Sequence, residues 1–112
     1  MMTKLLNEVS NIVEKEYDRA SAQHGSTFNS IHEGYAVIKE EFDECHDELT
    51  LSEFFIDLYW KAVKNNNTEA QHDNLVRLYN KSMLAACEAI QTAAMIKKAM
   101  ETMKIKNTQE GF

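Results

Sequence analysis

The sequence predicts an all-α fold, an antiparallel bundle of about four helices. Three observations carry that expectation. Apolar residues recur at helical spacing along nearly the whole chain, while strand-like alternation is absent over any useful length. Proline is missing and glycine occurs only at 25, 34 and 111, so little interrupts a helix. Three hydroxyl residues, Ser30, Thr50 and Thr68, are each followed three positions on by Glu33, Glu53 and Gln71. That is the spacing at which a helix start is capped reciprocally, hydroxyl to backbone and carboxylate or amide back again.

Each element follows from these signals. Leu5, Val9, Ile12, Val13 and Tyr17 make one stripe, so a first helix is expected over residues 3–23. The pair His24-Gly25 should end it, because glycine accepts left-handed geometry at a helix C-terminus. A second helix is expected over 31–49, a third over 51–64 and a fourth over 69–105. The polar run KNNNT, residues 64–68, should join the last two. A straight fourth helix of that length would exceed ~50 Å at 1.5 Å per residue. A bend near residues 80–82 is therefore expected, or an overhang covered by another subunit. Residues beyond Lys106 should fray.

With 112 residues the chain reads as a single domain, 1–112, whose modest core would gain from a partner subunit. Its net charge of −6 argues against nucleic-acid backbones and anionic membranes as partners. The N-terminal segment reads as an amphipathic helix rather than a secretion signal, and the longest apolar run, MLAAC, is far too short to span a bilayer. Cys45 and Cys87 form no framework pattern and read as reduced thiols of a cytoplasmic protein.

The segment HEGYAVIKEEFDECHDEL, residues 32–49, holds six carboxylates in nine positions: Glu40, Glu41, Asp43, Glu44, Asp47 and Glu48. A step of 100° per residue sets Ile31, Tyr35, Ile38, Phe42, Cys45 and Leu49 on one stripe, which reads as the core face. Asp43 and Asp47 fall opposite and read as solvated. Glu41, Glu44 and Glu48 instead form a column with Val37 on the flank of the stripe, a mixture suited to facing another helix. Glutamates at i and i+3 lie side by side, and oxygen ligands so placed suit a hard cation such as Mg²⁺ or Mn²⁺. The plainer alternative is a pair of surface glutamates.

A second segment bears on that choice. Residues 82–96, SMLAACEAIQTAAMI, are apolar on nearly every side, with five alanines that allow close helix approach. Such a segment is expected to be buried, carrying Glu88 with it. A buried carboxylate must be neutral, paired or metal-bound. Gln91, one turn on, offers an uncharged amide oxygen as a ligand. The competing readings are an ion pair with Arg77, Lys81 or a lysine of a partner subunit, or a protonated Glu88 hydrogen-bonded to Gln91.

The stretch FNSIHEGYAVIKEEFDE (28–44) with EAIQTAAM (88–95) resembles the MazG-like all-α nucleoside triphosphate pyrophosphohydrolases, above all the small phage-type and bacterial members. The likeness runs from about residue 16 to residue 100 and is least diagnostic over 51–79. The family pattern is E-x-x-E, preceded by a further Glu, on one helix and E-x-x-D on a later one. The first is intact as Glu40, Glu41 and Glu44; the second is Glu88 with Gln91 in place of aspartate. The resemblance implies Mg²⁺, with Mn²⁺ as alternative, held by Glu41, Glu44, Glu88 and Gln91. It assigns Glu40 and Glu44 to catalysis and implies cleavage of a nucleoside triphosphate to monophosphate and pyrophosphate. It further implies a homodimer or homotetramer. Gln91 removes one negative charge from the family set, which leaves open a non-catalytic nucleotide-sensing or protein-interaction module on the same scaffold.

In that resemblance the turn that carries His24, Asn29 and His32 lies near the substrate pocket; apart from the resemblance, Lys39, Arg77, Lys81, Lys97 and Lys98 are the cations that could contact phosphate, Lys81 being the one assigned to substrate. Turn and cap chemistry by Asn29 and Ser30 is the simpler reading of that cluster. Phe54, Phe55, Tyr59 and Trp60 suit core or subunit packing. The pairs Asp43/His46 and Glu69/His72 have di-iron spacing but lie on polar faces. No spacing of thiols and imidazoles supports zinc.

Overall fold

The computed structural model describes the backbone of residues 2–109 and the side-chain surroundings of residues 2–105. Among these there are three helices and no strand: α1 (Met2–His24), α2 (Ile31–Lys64) and α3 (Thr68–Gln109). The fold is all-α, as the periodicity predicts. None of the helices is long and apolar enough to cross a membrane.

The expected helix boundary at Thr50 is absent, so two anticipated helices are one. Thr50 donates its hydroxyl back to the His46 carbonyl at 3.0 Å, and Ser52 does the same to Glu48 at 2.9 Å. A mid-helix hydroxyl can be satisfied by the carbonyl four residues earlier, so a cap-like spacing does not by itself end a helix. With no glycine or proline nearby, nothing else stops α2 before Lys64. α3 likewise runs unbroken through residues 80–82 and remains helical to Gln109. The fraying expected beyond Lys106 is therefore not seen as far as Gln109; residues 110–112 lie outside the described residues.

The four inner helix termini are chemically explicit. Gly25 (φ 88°) closes α1, its N–H bonding the Ser21 carbonyl at 2.8 Å. At the start of α2, the Ser30 hydroxyl accepts from the Glu33 N–H at 3.0 Å, while Asn29 Nδ2 donates to the Glu33 carboxylate at 3.2 Å. Between α2 and α3, Asn66 takes the left-handed conformation (φ 53°). The Asn67 N–H reaches the Ala62 carbonyl at 2.9 Å and the Asn66 N–H reaches Val63 at 3.1 Å, which is the Schellman pattern. The cap of α3 is Asn67 rather than Thr68: Asn67 Oδ1 accepts from the Ala70 N–H at 3.1 Å. Gln71, assigned to the capping box, donates its amide across the turn to the Ala62 carbonyl at 3.3 Å instead. Asn67→Ala should therefore cost about 1 kcal/mol in chemical denaturation and Thr68→Ala much less, the reverse of what the box spacing implies.

The backbone clusters into two compact units, residues 1–42 with 89–112, and residues 43–88. In the first, Phe28 (6% exposed), Gly34, Ala94, Lys98 and Thr102 are buried. A Cβ on Gly34 would stand 3.0 Å from Phe28 Cδ2, so any side chain there would push the ring outward by a few tenths of an ångström. The Phe28 N–H donates to Thr102 Oγ1 at 2.8 Å, and Lys98 Nζ sits 4.5 Å from the ring centroid. α1 has no buried residue; Val9, Val13 and Tyr17 of its stripe are half-buried, whereas Leu5 and Ile12 are exposed. Within this unit Lys97 ties α3 to α1 through an ion pair with Glu14 and by lying 4.9 Å from the Tyr17 ring centroid.

The second unit is an antiparallel helical hairpin. Cys45 meets Ala85, Glu48 meets Lys81, Phe55 meets Arg77 and Ala62 meets Gln71, so the register descends evenly along the pair. Ala62, Asn74 and Ala85 are its buried residues.

The stripe read as the core face of α2 is not covered by this chain. Ile31, Tyr35, Phe42 and Leu49 are exposed, and only Ile38 and Cys45 are half-buried. The faces toward the chain's own neighbours carry the flank residues instead. Residues 82–96 are likewise not buried all round: Met83, Leu84 and Ile96 are exposed, because Ala85 and Glu88 take the side turned to α2 within the hairpin.

Candidate metal centre

The acidic column of α2 and the alanine-rich part of α3 meet because small residues let them. Ala85 is buried, and the Cys45 thiol, one residue after Glu44, donates to its carbonyl at 3.6 Å. That contact brings Glu44 opposite Glu88, one turn after Ala85 on α3. The two offer carboxylate oxygens within 4.8 Å of each other. Glu41, one turn before Glu44 on the same uninterrupted helix, presents its carboxylate within that distance of Glu44 as well. Glu88 and Glu41 are half-buried and Glu44 is exposed. The burial expected of Glu88 is thus partial.

The electrostatics of the pair are distinctive. The Glu44 carboxyl is held above the usual glutamate range. The first cause is a hydrogen bond shared with Glu88, followed by loss of solvent and the negative charges of Glu88 and Asp47. Glu44 therefore holds its proton more tightly than an isolated glutamate does, because deprotonation brings two negative charges together. A cation at the same point offsets those charges without a proton, which is the chemical fit between this donor set and a hard divalent ion.

The other candidates fall as follows. Glu40 is exposed, next to Glu41 on α2. Gln91 is half-buried, one turn beyond Glu88 on α3. Lys81 pairs with Glu48 at 3.2 Å, both side chains about three-quarters covered, so this lysine's charge is already engaged beside the acids. His32 is exposed on the first turn of α2, and Asn29 is occupied with Glu33. Arg77 lies over the Phe55 ring, 5.6 Å from its centroid, rather than pairing with Glu88 as one reading allowed. Asp43, His46, Glu69 and His72 are all exposed, as expected for polar faces.

Two contacts near the acids escaped sequence reasoning: the Cys45–Ala85 bond and the Glu48–Lys81 pair. The usable signal was the register. Once the turn at residues 65–67 is fixed, positions summing to about 130 face each other, and both contacts follow from antiparallel helix geometry.

No family model, curated protein or solved structure matches the chain.

Proposed function

We propose that the chain is a Mg²⁺-dependent nucleotide pyrophosphohydrolase of the MazG-like type, releasing pyrophosphate from a nucleoside triphosphate and leaving the monophosphate. The single observation that carries this reading is the Glu44–Glu88 pair, two acids from different helices close enough to share a proton. In it, Glu41, Glu44 and Glu88 would hold the ion and Gln91 would add a neutral oxygen. Bound there, a divalent ion supplies charge neutralisation and Lewis acidity toward phosphate oxygens. Mn²⁺ satisfies the same oxygen donors.

The chain's own residues do the rest. Glu40, exposed beside the ligand column, is the group to orient a water and accept its proton. Lys81, engaged with Glu48, keeps one positive charge beside the acids and limits their mutual repulsion. Asn29 and His32 are the proposed substrate contacts. The test is a panel of standard and modified nucleoside triphosphates assayed for pyrophosphate with each metal. No turnover with any of them would retire the enzymatic reading.

Gln91 favours a second reading. With one charge fewer than the E-x-x-D pattern carries, the scaffold could bind nucleotide or a protein partner without chemistry. Nucleotide binding with no product formation would support it. The broader expectations, a cytoplasmic protein assembled as a homodimer or homotetramer, accompany either reading.

Metal occupancy also makes a pH prediction. Glu44's raised proton affinity means the ion-free fold is favoured below the ordinary glutamate value of 4.5, and that contribution is lost as pH rises through Glu44's raised value. Mg²⁺ needs the deprotonated acids, so its stabilisation runs the other way. The thermal shift from Mg²⁺ should be absent in acid and grow toward neutral pH. At one hundred times the dissociation constant it corresponds to about 2.7 kcal/mol. A shift independent of pH would place the ion elsewhere.

A further inference from the structure

Within the hairpin, Glu44 and Glu48 stand four residues apart on α2, so their side chains are neighbours on one face. Glu44 turns to Glu88, whereas Glu48 turns to Lys81, whose Nζ lies 3.2 Å from its carboxylate. Glu44 and Glu48 have the spacing of a second pair of oxygen ligands, and an ammonium holds one of them. The Glu48 oxygen facing Lys81 is cut off from solvent and accepts no hydrogen bond from the described residues, so charge alone satisfies it. The side chains of Lys81 and Glu48 are only 26% and 23% exposed, and water screens such a pair weakly.

We propose that Lys81 limits this site to one divalent ion per chain in the absence of substrate. It does so by engaging Glu48 and by fixing a positive charge one turn from Glu44. The inference rests on the metal reading proposed above and adds the number of ions to it. Two arguments carry it. A second ion beside Glu48 would stand next to the ammonium, and like charges that close repel strongly where water is scarce. Charge balance agrees. Glu44, Glu48 and Glu88 bring three negative charges when ionised and Lys81 returns one, so a single divalent ion neutralises the group. A second would leave excess positive charge among half-buried side chains, which is costly.

Mn²⁺ is the probe, because electron paramagnetic resonance distinguishes its free and bound forms. Titration of the full chain without nucleotide should count one bound ion per chain. Lys81→Met removes the ammonium and keeps the length of the side chain. It should count two ions, the second bound within about tenfold of the first. Lys81→Met with Glu48→Gln should return to one, since the freed carboxylate is then gone. That reversal separates the release of Glu48 from a general disturbance of the hairpin. If Lys81→Met does not fold, Lys81→Gln takes its place with the same expected count, because its amide can donate to Glu48 without carrying charge.

Two ions on the wild-type chain overturn the proposal, and so does a single ion on the folded Lys81 variant. Two ions on the double variant overturn it as well, because the second would not then need Glu48. No ion on the wild-type chain is a different result: it retires the metal reading itself, and this inference falls with it.

Discussion

Glu44→Gln is expected to abolish metal-dependent pyrophosphate release while leaving the helical fold intact. Outer-shell partners of metal ligands already cost about 10–100-fold when removed, so loss of a residue that would hold the ion directly should cost at least about 100-fold. The fold survives because the new amide can donate to the Glu88 carboxylate, keeping a hydrogen bond between the two positions. Three readouts move together if the reading is right. Pyrophosphate release falls, the Mg²⁺ thermal shift disappears, and the ion-free melting temperature ceases to decline as pH rises through the raised Glu44 value. The last reports only the coupling of Glu44 to Glu88; pyrophosphate release and the Mg²⁺ shift are the two that test the metal and catalytic roles. Unchanged turnover in this variant would end the catalytic assignment.

Phe28→Ala is expected to be the most destabilising single core substitution, at about 3–5 kcal/mol. Among the described residues Phe28 is the one buried large aromatic side chain; the other buried apolar side chains are alanines. Gly34 is shaped to it at 3.0 Å, and Lys98 rests on its face. Truncation enlarges a small existing cavity of about 40 Å³ bounded by Gly34, Thr102 and Met103, and strips Lys98 of its cation–π neighbour. Urea titration should show a lower midpoint with an unchanged slope. A loss under about 1 kcal/mol would mean that the core of this unit lies elsewhere.

Much of this architecture is legible in the sequence, and the errors have physical causes. The all-α class follows from periodicity and from the scarcity of glycine and proline. The ends at Gly25 and Ser30 follow from cap chemistry, and both are met. The column of Val37, Glu41, Glu44 and Glu48 was legible as a helix-facing flank because it mixes an apolar residue with acids. Glu48 does face Lys81, and Glu44 faces Glu88. The break at Thr50 fails because serine and threonine satisfy their hydroxyls equally well inside a helix, on the preceding turn. The shift of the α3 cap to Asn67 reflects a run of adjacent polar residues, each able to cap, among which the Asn66 turn chooses. The core-face assignment to Ile31, Tyr35, Phe42 and Leu49 fails for a deeper reason. Hydropathy identifies a face that avoids water; it does not identify the molecule that removes the water.

The tight connection through Asn65, Asn66 and Asn67 has a temporal side. Ala62 and Gln71 are nine residues apart, so the hairpin can zip from its turn at little loop-closure cost. Phe28 must instead wait for Thr102, 74 residues downstream. At 5–20 residues per second, ribosomal synthesis imposes a delay of roughly 4–15 s on that encounter. During that interval the Phe28 ring has Gly34 of the next helix beside it but not yet Lys98 and Thr102 of α3.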